Sequence, residues 1–216
     1  MLFLLLACNG TPQDTGPASP TATVHLTWSA HEGLWETDLG WSVTLEQGWL
    51  VSTGVDLLNC PTEDPGKDHG EAMDERLHAP HVEALHAPED QVMGTLRMDI
   101  GELCAAAWHV GRPTRSDEVV GLPTEVDLID QGLSLYLEGT ASQAGRDPLP
   151  FAGGSSLEGG QELVLAERVG TADLSLHVVR DPETLFDGID FEALTTGEIA
   201  DAAIVNLALA TRFELD

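Results

Sequence analysis

The chain predicts a mainly β fold, an antiparallel β-sandwich of Ig-like or jelly-roll-like type with a C-terminal helix. Three observations carry this. About eight short segments alternate apolar and polar residues, the period of a half-buried strand. Turn-rich stretches such as Phe151-Ala152-Gly153-Gly154-Ser155-Ser156 and Glu158-Gly159-Gly160 break them, and strand and helix patterns nowhere alternate as βαβ.

Thr21–Trp28 opens the series, with Val24, Leu26 and Trp28 on one face and Thr23, His25 and Thr27 on the other. Trp41–Glu46 alternates in the same way, and Gln47-Gly48 leads into the Val-, Leu- and Thr-rich run Trp49–Leu58, which reads as a hairpin. Val92–Ile100 sets Val92, Leu96, Met98 and Ile100 on one face, and Leu103–Val110 follows after Gly101. Leu133–Glu138 is a further strand, and Leu163–Val169 and Ala172–Val179 make a last pair across Gly170-Thr171. Asp181–Gly188 reads as one turn with Pro182 at a helical first position. Thr195-Thr196-Gly197-Glu198 fits a capping box, so the Ala- and Leu-rich segment that follows predicts a helix over 197–210 packed on the sandwich.

The 216 residues are 42% apolar, enough for one sizeable core, and no second apolar stretch approaches the roughly 20 residues of a membrane span. Asp and Glu number 37 against 9 Lys and Arg, for a net charge of −28, with Lys67 the only lysine. Nucleic acid is excluded as a partner, since phosphate binding needs clustered basic side chains. A polybasic grip on anionic lipid is excluded on the same ground. The acidic surface serves solubility, and it also concentrates cations.

Met1–Ala7 is apolar and ends in a small residue before Cys8. Leu5-Leu6-Ala7-Cys8 resembles the lipobox of bacterial lipoproteins, and the resemblance implies cleavage before Cys8 and lipidation of its thiol. The segment is shorter than an export signal and lacks a cationic start; a true start codon upstream of Met1 would explain both. Residues 9–20 are small, polar or Pro, a tether that spans on the order of 20 Å. The expected organisation is a signal over 1–7, a lipidated Cys and tether over 8–20, and a single domain over 21–216. Its expected address is the cell envelope, anchored at the outer membrane and facing the periplasm or the cell surface.

With Cys8 assigned to lipid, Cys60 and Cys104 remain as one pair, which an oxidising periplasm would join. Two buried free thiols are the alternative. Between the third and fourth predicted strands, Pro61–Gln91 is long for a structureless connection. It holds His69, His78, His81 and His86, and Leu77-His78-Ala79-Pro80 is echoed by Leu85-His86-Ala87-Pro88. Imidazole suits zinc or copper. Glu71, Glu83, Glu89 and Asp90 are available to complete a shell, and His109, His31 with Glu32, and Met93 are further candidates. The prolines forbid one continuous helix, so any convergence has to come from loop geometry. A plain solvated loop is the competing reading.

Asp181, Glu183, Asp187, Asp190 and Glu192 form a second acidic group without the EF-hand pattern, read as surface carboxylates. Of Trp28, Trp35, Trp41 and Trp49, Trp35 alone falls in a loop, where it would suit an exposed sugar platform. Gly153–Leu157 lacks the closing Gly of a nucleophile elbow, and no phosphate-binding Gly loop occurs, so the expectation is a non-enzyme. The lipobox, the early hairpin near Gly48–Leu58, the cysteine pair, the His-bearing loop and Leu185-Phe186-Asp187-Gly188 resemble the periplasmic copper-binding lipoproteins associated with methanobactin and diheme peroxidase operons. That resemblance implies copper ahead of zinc. Two readings stand: an envelope-tethered domain that binds copper or zinc through the His-rich loop, and a metal-free adhesion or scaffold domain that binds protein or glycan.

Overall fold

The computed structural model describes residues 20–31, 33–60, 73–98, 103–169 and 173–216. In chain order the elements are β1 (Thr21–Trp28), β2 (Leu34–Glu36), β3 (Ser42–Asn59), β4 (Met73–Ala84), β5 (Gln91–Arg97), β6 (Leu103–Val110), α1 (Leu128–Gln131), β7 (Leu135–Ser142), β8 (Leu149–Ser155), β9 (Gly159–Val169), β10 (Leu174–Arg180), α2 (Thr196–Leu209) and β11 (Thr211–Leu215). The smaller sheet has the order β11-β10-β1-β5. The larger runs β8-β7-β3-β6-β9, with β2 and β4 also paired to β3. The mainly β sandwich and its C-terminal helix are as the alternation predicts. No described helix is long and apolar enough to cross a membrane.

The inner faces meet in one apolar core. Val24 and Leu26 of β1 and Leu176 and Val178 of β10 face Val55 and Leu57 of β3 and Leu135 and Leu137 of β7, all essentially without exposure. The helix α2 adds Ile199, Ala200, Ala203 and Leu207 from one side. Its start is the expected capping box: the Thr195 hydroxyl accepts the Glu198 amide, and the Glu198 carboxylate accepts from the Thr195 amide at 2.8 Å. Leu185, Phe186 and Ile189, in the turn after β10, are wholly buried beneath it.

A charged pair bridges the two sheets inside this core. Arg180, at the end of β10, donates to the carboxylate of Glu83 on β4, and neither side chain is exposed. Trp28 Nε1 and Ser52 Oγ also donate to Glu83, at 3.0 and 2.5 Å, and Trp108 Nε1 donates to Ser52 Oγ at 2.9 Å. The guanidinium lies 4.5 Å from the Trp28 ring centroid and 5.8 Å from that of Trp108. Burial pushes the Arg180 pKa down, against the opposing charges of Glu83 and Asp90.

Several expectations are corrected. The hairpin about Gln47-Gly48 is one continuous 18-residue strand, β3. Gly48 is there for close packing, since a Cβ on it would lie 3.0 Å from Leu85 Cβ and 3.2 Å from Leu45 Cδ1. Much of the expected loop Pro61–Gln91 is strand: Met73–Ala84 pairs antiparallel with β3 from Leu58↔Met73 to Trp49↔Ala84. Pro80 falls where the register slips, between Ser52↔His81 and Gly54↔His78, so its missing N–H removes no ladder bond.

The two segments expected to form a last pair, β9 and β10, do not pair with each other. β9 edges the larger sheet, whereas β10 lies in the smaller one and pairs in parallel with β1. On β5, Met93 is an extra residue between Gly94↔Val24 and Val92↔His25, so Met93 and Leu96 face inward and Val92 outward. Trp35 is no platform. It is 1% exposed, donates from Nε1 to the Pro182 carbonyl at 2.8 Å and meets Phe186 edge-on at 5.5 Å.

Candidate functional site

The outer face of the larger sheet is divided. One half is covered by the segment after β6, where Val126 and Leu128 close over Val51 and Val82. Val120 extends that cover by backbone bonds to β4, donating to Pro80 O at 3.0 Å and accepting from Val82 N at 2.8 Å. The uncovered half is a groove of about 400 Å³.

Strand register builds this groove. Gly54 of β3 is paired with His78 of β4 on one side and His109 of β6 on the other, and His109 is paired in turn with Gly160 of β9. Two imidazoles thus flank a glycine, with a second glycine beyond. Neither glycine tolerates a side chain. A Cβ on Gly54 would lie 2.4 Å from the Leu77 carbonyl oxygen, and one on Gly160 2.6 Å from that of Trp108. The floor is therefore bare backbone, and Thr53, Arg76, Gly111, Arg112 and Glu158 complete the walls.

Each basic side chain of the groove is held by a carboxylate. Asp56, two residues along β3 from Gly54 and nearly buried, accepts two hydrogen bonds from Arg76, at 2.6 and 2.7 Å, and one from His109 Nε2 at 2.9 Å. Burial alone would raise the Asp56 pKa, but these bonds and the charges behind them outweigh it, and the carboxyl sits below its ordinary value. Arg112 is paired with Glu158, and His78 Nε2 lies 3.6 Å from Asp117 Oδ1. Asp117 is itself held below its ordinary pKa, chiefly by the backbone amide of Thr114. The result is a fork of oriented N–H donors over a flat floor, in a chain whose net charge is −28.

Of the described histidines singled out in sequence, the structure brings His78 and His109 to this groove and places His31, His81 and His86 elsewhere. His81 is buried, and its Nδ1 lies 2.8 Å from the Ala79 carbonyl. His78 and His81 are three residues apart on β4, an odd offset, so ordinary alternation along the strand points them to opposite faces. His86 sits past the end of β4 against Trp49, with Nδ1 3.1 Å from the Gly48 amide. His31 packs on Trp35. Glu83 is committed to Arg180, Met93 is in the core, and Asp90 accepts from the Trp28 amide at 3.2 Å. Cys8 with the tether up to residue 19, Glu32, His69 and Glu71 lie outside the described residues. Among the described residues, no three of His, Cys, Asp and Glu stand ready-made as a metal ligand set.

Cys60 and Cys104 form a disulfide with their Cα atoms 4.7 Å apart. It joins the residue after β3 to β6 beside the ladder that carries Gly54 and His109. The pairing was legible from the cysteine count; the groove was not. Its makers Asp56, Arg76 and Arg112 carry no spacing that marks them, since they meet only through cross-strand register. Comparison with protein-family models, with curated proteins and with solved structures finds no match, so the site is read from its own geometry.

Proposed function

We propose that this is an envelope-tethered, non-enzymatic binding domain whose groove takes a protein or glycan ligand through an anionic or hydroxyl-rich group. One observation carries the reading: Arg76, His78, His109 and Arg112 converge on a bare-backbone floor in a strongly acidic chain. Carboxylates fix these donors in direction, which suits recognition rather than proton transfer to a substrate. The tether rests on Leu5-Leu6-Ala7-Cys8 and its resemblance to a lipobox, and an acyl chain at Cys8 would supply the contact with the membrane.

Arrays of acidic glycans and of acidic peptides, probed with the full chain, test this. Hits that weaken on Arg112→Ala and on His109→Ala support the groove as the site. Hits indifferent to both variants, or none on either array, overturn it.

A second reading, copper or zinc at this place, has one observation in its favour: His78 and His109 share a face on either side of Gly54, with Asp56 next to them. Metal titration of the His78→Ala/His109→Ala double variant tests it. An affinity equal to that of the unmodified chain excludes the groove as a metal site.

A further inference from the structure

The outer face of the smaller sheet carries a pair of histidines that nothing local in the sequence joins. His25 of β1 and His177 of β10 are direct partners in the parallel ladder. Their rings stack with centroids 4.6 Å apart and planes 9° from parallel. On the far side of β10, His177 is in register with Glu214 of β11. Asp216, two residues on, turns its carboxylate to the same ring, with Oδ2 3.2 Å from His177 Nε2.

We infer that His25, His177 and Asp216 form a binding site for a late first-row divalent metal ion, copper(II) or zinc(II), on the sheet opposite the groove. The donor set is the one these ions prefer, imidazole nitrogen with a carboxylate oxygen. The spacing fits as well. Two ligands each about 2.0–2.2 Å from a common ion lie roughly 3.2 Å apart when the angle between them is about 100°, within reach of a tetrahedral site. Nε2 of His177 and Oδ2 of Asp216 already keep that separation.

Closing the set requires the His25 ring to turn from its stacked position, about its own side-chain bonds, until a nitrogen edge faces the ion. The face is open enough to permit this, since His25 and His177 are both partly exposed. Glu214, held by Arg212 at 2.8 Å, is a neighbouring carboxylate in the same row. The acidic surface raises the local concentration of divalent cations. This site uses no residue of the groove, so the two stand or fall separately.

The test is titration of the full chain, purified without a polyhistidine tag, with copper(II) chloride alone and with zinc(II) chloride alone. Calorimetry supplies the stoichiometry, and electron paramagnetic resonance of the copper form reads the ligand nitrogens. One equivalent is expected, with hyperfine structure from two nitrogens. His25→Ala and His177→Ala should each weaken binding by at least about tenfold, and Asp216→Asn by less. His25→Gln and His177→Gln, which keep a polar side chain on the strand, replace any Ala variant whose circular dichroism departs from that of the parent. His78→Ala/His109→Ala should leave the signal in place. Unchanged affinity in both the His25 and His177 variants, or loss in the groove variant alone, overturns the inference.

Discussion

Arg180 and Glu83 face each other from opposite sheets with no exposure of either side chain. An ion pair so buried gains little over a well-packed apolar pair, but removing one partner strands a charge in the core. The indole rings of Trp28 and Trp108 beside the guanidinium soften the desolvation of Arg180.

Replacing one partner alone, as Arg180→Met or Glu83→Gln, is therefore expected to cost about 3–5 kcal/mol of unfolding free energy. The double replacement Glu83→Met/Arg180→Met should recover most of that loss. Urea denaturation of the three variants and the parent decides. A double variant no more stable than the singles would show that the pair itself, rather than the uncompensated charge, holds the sheets together.

The groove carboxylate Asp56 makes stability acid-sensitive. Its pKa is lower folded than unfolded, so its contribution is fully present above the ordinary aspartate value of about 3.9 and is lost as pH falls through the lowered folded value. Asp56→Asn should be less stable than the parent at neutral pH, by about 1–3 kcal/mol, and the difference should shrink below about pH 4. Denaturant midpoints followed down the acid limb measure this. A constant difference at every pH would mean that shape, not ionisation, accounts for the role of Asp56.

Reduction of Cys60–Cys104 frees a loop of about 45 residues, which on the chain-entropy model lowers stability by about 4 kcal/mol. Cys60→Ala/Cys104→Ala should show that loss in a denaturation curve insensitive to reductant. Peptide mapping of the isolated protein under non-reducing conditions should find this one linked pair. Free thiols at both positions would contradict it.

Lipidation at Cys8 is expected from the apolar run before it and the polar tether after it. Intact mass of protein extracted from membranes should show acyl chains on a species that starts at Cys8. Cys8→Ser should move the protein to the soluble fraction. A species retaining Met1, or a membrane fraction unaltered by the substitution, would remove the anchor from this account.

Local pattern determined much of the architecture. Side chains alternate along a strand with period two, so Val24 and Leu26 declare an inner face without knowledge of any neighbour. The capping box at Thr195 and Glu198 is likewise a contact within four residues. The cysteine pair needed only counting.

Choice of neighbour was decided by the tertiary structure alone. A period of two tells which way a side chain points, but not which strand lies alongside, nor where a bulge reverses the faces. So β10 joins β1 in parallel rather than β9, Gly48 packs within a strand instead of turning it, and Pro80 sits inside β4 at a slip of its register with β3. The four histidines of the 61–91 segment were conspicuous because they are close in sequence. His25 with His177, Asp56 with Arg76 and His109, and Glu83 with Arg180 were silent because each contact joins residues of different strands. Register, a property of the folded sheets, brings them together.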